Sequence, residues 1–273
     1  MSFRNKTFFI TGATRGIGKA IALKLAAEGA NIVIAAKSTE EHPKLGGTIY
    51  TAAQEVEAAG GKALAVACDI RFEEQVENAV QQAVSTFGSI DGLINNASAI
   101  ALAGTEGLEL KQFDLMHDIN VRGTFTVTKK CIPHLKNGNN PHIITLSPPL
   151  NIQPKWFAKH AAYTISKYNM SMLSMGWAAE LKGYNIASNT LWPATLIATA
   201  AVRNLLGGEK LVARSRKPAI IADAAHYILQ QPSGSFTGNF LIDEEVLKQA
   251  GITDFTQYAE VEGNPLQKDL FLD

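Results

Sequence analysis

The chain has few cysteines and no excess of either charge. Among its 273 residues only Cys68 and Cys131 are cysteines, and they lie in apolar surroundings without the spacing of metal ligands. This excludes a disulfide framework and is typical of a reduced, cytosolic interior. The 25 basic residues equal the 25 acidic ones, so no net field would attract nucleic acid or an anionic membrane surface. We therefore expect a local site for a small molecule.

Long apolar runs are also absent. The longest, around residues 97–104 and 194–202, fall short of the about 18 residues that a membrane span needs. The first apolar run stops at Thr11-Gly12, which is too short for the core of a signal peptide. The residues Leu270-Phe271-Leu272-Asp273 do not match a peroxisomal ending of the Ser-Lys-Leu type. We expect a soluble protein of the cytoplasm.

Two kinds of catalytic motif are missing. The six histidines do not form a His-Glu-x-x-His pattern and no carboxylate cluster accompanies them, so we do not expect a metal centre. Ser147 does not stand within the Gly-x-Ser-x-Gly turn of a hydrolase nucleophile, which argues against hydrolysis.

Apolar strand-like runs alternate along the chain with amphipathic helix-like segments. The predicted strands cover residues 7–11, 31–36, 62–69, 92–95, 142–146, 185–191 and 239–242. The predicted helices cover residues 18–28, 48–59, 72–87, 110–135 and 162–181. This alternation predicts an α/β fold, a doubly wound and mostly parallel sheet of the Rossmann type, with its ligand crevice at the carboxyl ends of the strands. With 46% apolar residues, residues 1–273 can bury a core as a single domain.

A glycine-rich loop follows the first predicted strand. Gly12, Gly16 and Gly18 occur as Thr-Gly-x-x-x-Gly-x-Gly at the start of a predicted helix. Backbone N–H groups at such a loop and helix N-terminus bind the pyrophosphate of a dinucleotide. The alternative is an ordinary tight turn between a strand and a helix.

Two cations stand where the adenine ribose of a dinucleotide would lie. A site for NAD usually has a carboxylate at the end of the second strand, but this chain has Ala36 followed by Lys37, and Arg15 lies within the glycine loop. Positive charge without a carboxylate favours a ribose 2′-phosphate. The sequence therefore predicts NADP(H) in preference to NAD(H), unless Arg15 and Lys37 are only solvated surface charges.

Tyr163 and Lys167 stand four residues apart in a predicted helix. This spacing places the phenol and the ammonium on one helix face. A fixed cation favours the anion of a phenol, whose pKa is ordinarily about 10, so the pair is suited to acid–base catalysis near neutral pH. A buried tyrosine with a satisfied hydroxyl is the alternative.

These motifs together resemble the short-chain dehydrogenase/reductase family over residues 5 to about 245. The matching positions, in order, are residues 11–18, Asp69-Ile70, Asn95-Asn96-Ala97, Asn120, Ser147, Tyr163-x-x-x-Lys167 and Pro193. More narrowly, residues 37–44, 147–151, 161–172, 220–225 and 235–240 resemble the dehydrogenase domain of the hydroxysteroid dehydrogenase-like protein 2 group. The chain departs from the family pattern at Ser98 and Ala194, where glycine is common.

The resemblance implies an oxidoreductase that transfers a hydride between NADP(H) and an alcohol or carbonyl compound. Tyr163 would exchange a proton with the substrate oxygen, Lys167 would bind the nicotinamide ribose, Ser147 would orient the substrate, and Asn120 would hold a relay water. From the residues alone, Ser147 could instead be a turn serine and Asn120 could mark a helix kink. The predicted cofactor contacts are Gly12, Thr14, Arg15, Gly16, Ile17, Gly18, Lys37, Asp69, Ile70, Asn96, Ala97, Lys167, Pro193 and Thr195. From the residues alone, Asn96 could instead belong to a turn at a strand end and Asp69 could be a loop carboxylate with its own partner.

Longer segments at the carboxyl ends of predicted strands would form the substrate site. Residues 148–159 and 194–217 are the predicted substrate loops, and an extension follows from about 245 to 273, while a further loop at 38–47 contains Pro43. The apolar residues of the two substrate loops are Leu150, Ile152, Trp156, Phe157, Leu196, Ile197, Val202, Leu205 and Leu206. They would form an apolar pocket, pack the loops onto the body, or contact another subunit.

Two further expectations concern partners. By resemblance, the helices at 110–135 and 162–181 would join subunits in a homodimer or homotetramer. The cations Lys155, Lys159, His160 and Arg203 could meet a carboxylate or phosphate of a longer substrate such as an acyl-CoA. A protein that binds a dinucleotide as a sensor or scaffold without catalysis is the alternative function.

Overall fold

The fold centres on a parallel sheet of seven strands in the order β3-β2-β1-β4-β5-β6-β7. The computed structural model describes residues 2–42 and 45–273, apart from the side chains of Leu205 and Leu206. The strands are β1 (Thr7–Thr11), β2 (Asn31–Ala36), β3 (Lys62–Ala67), β4 (Gly92–Asn95), β5 (His142–Thr145), β6 (Ala187–Trp192) and β7 (Phe240–Ile242).

Helices cover both faces of this sheet. The α-helices are α1 (Gly16–Ala26), α2 (Ile49–Ala58), α3 (Glu73–Phe87), α4 (Leu110–Met116), α5 (Thr124–Leu135), α6 (Ala161–Glu180), α7 (Gly208–Val212), α8 (Ala219–Gln230) and α9 (Asp243–Gln249). Successive residues of β1 point to opposite faces: Phe8 and Ile10 pack with α1, α2 and α8, and Phe9 packs with α3, α5 and α6. Burial on both faces explains why the central strands are apolar throughout. The predicted α/β, doubly wound fold is confirmed.

One predicted helix is divided into three parts. The segment predicted at 110–135 forms α4, then a π-helical segment over His117–Gly123, then α5. A π-helical insertion is uncommon and often marks a functional site. Gly123 allows close packing there, because a Cβ at this position would lie 2.7 Å from the Ile70 side chain.

Three helices lie outside the predicted set. The helix α7 and a π-helical segment, Val202–Leu206, occupy part of the stretch 194–217 that was predicted as a substrate loop, and α8 and α9 follow it. Among the helices in the described part of the chain, none combines the length and the apolar character needed to cross a bilayer.

The strand order reverses next to β1, which pairs with β2 on one side and β4 on the other. In doubly wound sheets a ligand crevice forms at this position, beyond the carboxyl ends of the strands. The glycine loop follows β1 and Asn96 follows β4, so the fold places both at this crevice.

Candidate functional site

A cavity of about 480 Å³ opens at the carboxyl ends of β1, β2 and β4. Ten of the predicted cofactor residues line it: Gly12, Thr14, Arg15, Gly16, Ile17, Lys37, Asp69, Ile70, Asn96 and Ala97. Gly18, Lys167, Pro193 and Thr195, predicted for the same cofactor, are not part of this lining. The cavity also contacts Ser98 and Ala99, which lead toward α6.

The glycine loop depends on backbone conformations that side chains disfavour. Gly12 and Gly16 have φ angles of 68° and 55°, in the left-handed region that glycine adopts without strain. Gly18 is required for space, because a Cβ there would lie 2.5 Å from the Asn96 amide nitrogen and 2.9 Å from the Gly12 carbonyl oxygen. Within the described residues no side chain caps the N-terminus of α1, which leaves that end available to an anion.

Asn96 and Thr11 hold the two sides of the crevice together. The Asn96 side-chain amide donates to the carbonyl oxygens of Thr11 and Gly12 at 2.9 and 3.1 Å. The Thr11 hydroxyl in turn accepts the N–H groups of Asn96 and Ala97, each at 3.0 Å. Asn96 therefore braces the loop after β1.

The Arg15 guanidinium lies at the far end of the cavity. One terminal nitrogen donates to Ser38 Oγ at 2.8 Å and to the Gly47 carbonyl oxygen at 3.3 Å. Its Nε is buried and has no hydrogen-bond partner among the described residues, and burial lowers the pKa of Arg15. Lys37 is exposed beside it, and Ala36 ends β2. Arg15 therefore places a cation in the cavity wall, with one donor that the described residues leave unpaired.

Asp69 is already bound by a neighbouring cation. The Arg71 Nε donates to both Asp69 carboxylate oxygens at 3.0 and 3.1 Å, and an Arg71 terminal nitrogen donates to one of them at 2.6 Å. Hydrogen bonding by Arg71 lowers the pKa of Asp69. The carboxylate stays charged, and Arg71 fixes its position in the cavity wall.

The four predicted catalytic residues come from three separate elements and are all buried. Asn120 lies in the π-helical segment, Ser147 follows β5, and Tyr163 and Lys167 lie on α6. Their exposed fractions are 0%, 0%, 5% and 2%, respectively. Polar groups are seldom buried to this degree unless they are hydrogen-bonded, so the partners of each group are informative.

Lys167 connects α6 to the end of β5. Its Nζ donates to the Leu146 carbonyl oxygen at 2.6 Å and contacts the Met170 sulfur at 3.4 Å. The same atom lies 5.2 Å from the centre of the Trp192 ring. Burial lowers the pKa of Lys167 to about 7, and the negative charge of Asp269 partly opposes this effect.

Tyr163 lies within an aromatic cluster. Its ring centroid is 6.2 Å from that of Phe271 and 6.3 Å from that of His160. Burial raises the pKa of Tyr163, and the charge of Asp269 raises it further. The phenol is therefore an acid that retains its proton until a cation or a substrate oxygen acts on it.

Ser147 carries a hydroxyl group that the described residues leave without a partner. Its Oγ is buried and unpaired, although its backbone N–H donates to the Thr145 carbonyl oxygen at 2.9 Å. The next residue is fixed by a 2.6 Å hydrogen bond from Ser171 Oγ to the Pro148 carbonyl oxygen. An orphaned hydroxyl at a rigid position is suited to receive a ligand oxygen.

Asn120 joins the cavity to α6. Its side-chain oxygen accepts from the Ala99 N–H at 2.8 Å and from Ser98 Oγ at 3.0 Å. Its side-chain nitrogen donates to the Ala99 carbonyl oxygen at 2.9 Å and to Ser166 Oγ at 3.0 Å. Because Ser98 and Ala99 line the cavity and Ser166 lies between Tyr163 and Lys167, one side chain links the cavity wall to the catalytic helix.

The apolar residues of the two predicted substrate loops lie in different parts of the structure. Leu150, Trp156 and Phe157 pack in the cluster that contains Tyr163, Ile197 packs into the core beside α8, and Ile152 is 84% exposed. The side chains of Leu205 and Leu206 lie outside the described residues, as does Pro43 of the 38–47 loop. Pro193 and Thr195 are buried beyond β6.

Sequence reasoning missed the segment 267–273. The Phe271 ring is 1% exposed and packs against the Tyr163 cluster, and Asp269 is close enough to change the pKa values of Tyr163 and Lys167. The sequence contained one signal, the apolar triplet Leu270-Phe271-Leu272 within a polar stretch. Among the described residues no group of three or more potential ligands could hold a metal ion.

Comparison with known proteins places this geometry in a family. The model of the short chain dehydrogenase family matches residues 6–209. Hydroxysteroid dehydrogenase-like protein 2 of Danio rerio is 59% identical over 267 residues, which cover 98% of this chain and 64% of the relative. The chain thus spans less than two thirds of that protein's length.

Solved structures agree with this assignment. A dehydrogenase-like crystal structure from Xanthomonas campestris is 52% identical, with a TM-score of 0.97 and full coverage of both chains. More distant neighbours include a metagenomic short-chain oxidoreductase in complex with NADP, 25% identical with a TM-score of 0.72 over 89% of this chain and 98% of the neighbour. A Mycobacterium paratuberculosis short chain dehydrogenase bound to NAD is 24% identical, with a TM-score of 0.74 over 89% and 97% of the two chains. The chain therefore belongs to the short-chain dehydrogenase/reductase family of oxidoreductases.

Proposed function

We propose that the protein is an NADP(H)-dependent oxidoreductase that acts on an apolar alcohol or carbonyl compound. The observation that carries this proposal is the double link made by Asn120. Its side chain binds Ser98 and Ala99 of the dinucleotide cavity and Ser166 of α6, between Tyr163 and Lys167. This link would couple cofactor binding to the acid–base chemistry that we propose for α6.

The residues of the cavity fit a dinucleotide with a 2′-phosphate. Gly12, Gly16 and the N-terminus of α1, which no described side chain caps, would hold the pyrophosphate, and Arg15 Nε has no acceptor within the described part of the chain. With Lys37 it presents two cations where an NAD site would present a carboxylate. Bound NADPH supplies a hydride for a carbonyl carbon, and the protein's own residues handle the proton.

Tyr163 is the proposed proton donor in reduction and proton acceptor in oxidation. The Lys167 cation would stabilise the phenolate that forms when the proton leaves, which opposes the effect of burial on the phenol. Ser147 Oγ, which has no partner among the described residues, would donate a hydrogen bond to the substrate oxygen and orient it. Asn120 would hold α6 against the cavity wall.

Substitution of the phenol tests this proposal. We expect Tyr163→Phe to lower kcat by about 10²- to 10⁴-fold, the usual contribution of general acid–base catalysis, and to leave the NADPH dissociation constant within about threefold. Tyr258→Phe is the matched control, because Tyr258 is also buried and its hydroxyl donates to Asp223 at 2.7 Å in a different part of the core. Lack of NADPH binding and turnover across ketones, aldehydes and secondary alcohols would refute the proposal.

A second function has one observation in its favour. The dinucleotide cavity is open while all four catalytic candidates are at most 5% exposed. A sensor or scaffold that binds the dinucleotide without turnover would have these properties. The same Tyr163→Phe variant separates the two functions, since a sensor's response to NADPH would be unchanged by it.

We further propose that residues 1–273 form a single domain and that it assembles as a homodimer or homotetramer. Large apolar side chains are exposed on α4, α5 and α6, the helices expected to join subunits: Leu110, Phe113, Leu115, Phe125, Ile165, Met172 and Met175. Exposed apolar residues concentrated on one set of helices are typical of an interaction surface. The curated relatives are longer than this chain, and this proposal does not extend to any activity of their additional segments.

A further inference from the structure

The segment 267–273 connects the two predicted substrate loops. On one side, the Leu196 N–H donates to the Gln267 carbonyl oxygen at 2.9 Å and the Asp269 N–H donates to the Ala194 carbonyl oxygen at 3.1 Å. On the other side, the Asp273 carboxylate accepts from Asn151 at 3.0 Å and from Gln153 at 3.2 Å. The segment is therefore anchored at both ends and crosses between the loops.

Phe271 is the centre of this segment. It is 1% exposed and its φ angle is 72°, in the left-handed region that a bulky side chain rarely adopts. Its ring centroid lies 5.2 Å from Tyr168, 5.9 Å from Trp192 and 6.2 Å from Tyr163. Strain of this kind often marks a position that serves binding or catalysis.

The backbone beside Phe271 is fixed close to the catalytic lysine. Trp192 Nε1 donates to the Leu270 carbonyl oxygen at 3.0 Å, and the ring of Trp192 lies 5.2 Å from Lys167 Nζ. Asp269, two residues before Phe271, raises the pKa values of Tyr163 and Lys167 through its negative charge, a smaller effect than that of burial. The segment thus packs against the ring of Tyr163 and against Trp192, which lies beside Lys167, on the side of the two loops.

We propose that Phe271 is a wall of the substrate pocket and limits the size of the group that can lie beside the Tyr163 hydroxyl. This inference rests on the proposed function and names the kind of substrate it favours. A flat or small apolar group next to the carbonyl carbon can pack against the Phe271 ring. A bulky branched or multi-ring group at that position would collide with the ring.

Substitutions that change the size of residue 271 test the wall. The probes are butanone, cyclohexanone and a bicyclic decalone, each with NADPH, and the readout is the ratio of kcat/KM for decalone to that for butanone. We expect Phe271→Leu to raise this ratio by about 10-fold or more, since a change of a few methylene-sized groups in an apolar pocket shifts specificity by about 10–200-fold. We expect Phe271→Trp to lower it.

Phe3→Leu is the matched control, because Phe3 is also 1% exposed but packs against Phe8, on the side of the sheet occupied by α1 and α8. It should lower thermal stability and leave the ratio within about threefold of the wild-type value. If both variants at position 271 also keep the wild-type ratio, or if neither folds by circular dichroism, Phe271 is a packing residue and the inference is overturned.

The same experiment separates this inference from the proposed function. If the wild type turns over the ketones and the position-271 variants keep its kcat/KM ratio, only the proposed role of Phe271 is overturned. Lack of turnover by the wild type would overturn the proposed function. The role of Phe271 would then be tested by calorimetric binding of the three ketones to the NADPH complex, with the same size-dependent shift expected in their dissociation constants.

Discussion

The Lys167 ammonium donates to the carbonyl oxygen of Leu146 at 2.6 Å. Leu146 immediately precedes Ser147, so the hydrogen bond joins the lysine of α6 to the backbone beside the serine at the end of β5. The residue before Ser147 thus helps to fix the position of the Lys167 ammonium. Because this ammonium is buried, its protonation makes the stability of the protein depend on pH.

Lys167→Met should stabilise the protein and lower its activity. The ordinary lysine pKa of 10.5 falls to about 7 on burial, so between these values the unfolded chain binds more protons and wild-type stability rises with pH. The variant should lose this rise and gain on the order of 2 kcal/mol at pH 7, after allowance for the lost hydrogen bond.

Urea unfolding of the wild type and the variant at pH 7, 8 and 9 measures this difference, and the titration of Cys68 and Cys131 in the unfolded chains cancels because both proteins contain them. Lys62→Met is the control, because Lys62 is exposed at the start of β3. An equal pH dependence in the wild type and Lys167→Met would contradict a buried cation at position 167.

Gly18→Ala should destabilise the protein by about 1–3 kcal/mol and weaken NADPH binding, because its Cβ would lie 2.5 Å from the Asn96 amide. Gly176→Ala is the matched control. Gly176 is exposed within α6, and apart from its chain neighbours and the backbone of its own helix no described atom lies within 4 Å of the added Cβ, so alanine should be neutral or stabilise by up to about 1 kcal/mol. Thermal unfolding and a fluorescence titration measure the two effects. Similar results for both variants would contradict the close approach of Gly18 and Asn96.

The double variant Arg15→Ala, Lys37→Ala should raise the dissociation constant of NADPH by about 10- to 100-fold, because charge-assisted hydrogen bonds to a phosphate are lost. NADH lacks this phosphate, so its dissociation constant should change less than about threefold. Isothermal titration calorimetry of both dinucleotides gives the comparison. Lys62→Ala removes a cation at the opposite, amino end of the strands and should alter neither the NADPH nor the NADH dissociation constant. Equal losses for NADPH and NADH would show that the two cations do not select the phosphate.

Ile165→Glu combined with Met172→Glu should dissociate the proposed oligomer. Both side chains are on α6 and are 44% and 47% exposed, and burial of two carboxylates at a subunit contact is unfavourable. Multi-angle light scattering should show a dimer or tetramer for the wild type and a monomer for the variant. Ile152→Glu, at a position that is 84% exposed on another surface, should keep the wild-type mass. A monomeric wild type would refute the assembly.

Periodicity predicted most of the sheet, because strands buried on both faces are apolar throughout. The strands β1, β2 and β4 have the predicted bounds, whereas β3 ends two residues before the predicted end at Asp69. The break in the helix predicted at 110–135 was not resolved by periodicity, because the apolar spacing continues through it. The cause is tertiary: Asn120 makes hydrogen bonds to residues 98, 99 and 166 that no local pattern encodes.

The cavity was predictable from the glycine loop, but its relation to the segment 267–273 was not. Phe271 reaches Tyr163 across more than a hundred residues of sequence, and the two residues before it, Asp269 and Leu270, are hydrogen-bonded to Ala194 and Trp192. The helices α8 and α9 were also not predicted, although α8 packs on α1 through an apolar face. Motif spacing locates groups on one element, whereas contacts between distant segments need the folded structure.

Transfer of a labelled hydride is the decisive test of the proposed oxidoreductase activity. NADPH with deuterium at both C4 positions of the nicotinamide is incubated with the enzyme and cyclohexanone, and the product alcohol is examined by mass spectrometry. We expect deuterium on the carbinol carbon with the wild type and a rate lower by about 10²-fold or more with Tyr163→Phe. Oxidation of the cofactor without deuterium in the alcohol, or equal labelling rates in the two proteins, would contradict hydride transfer assisted by Tyr163.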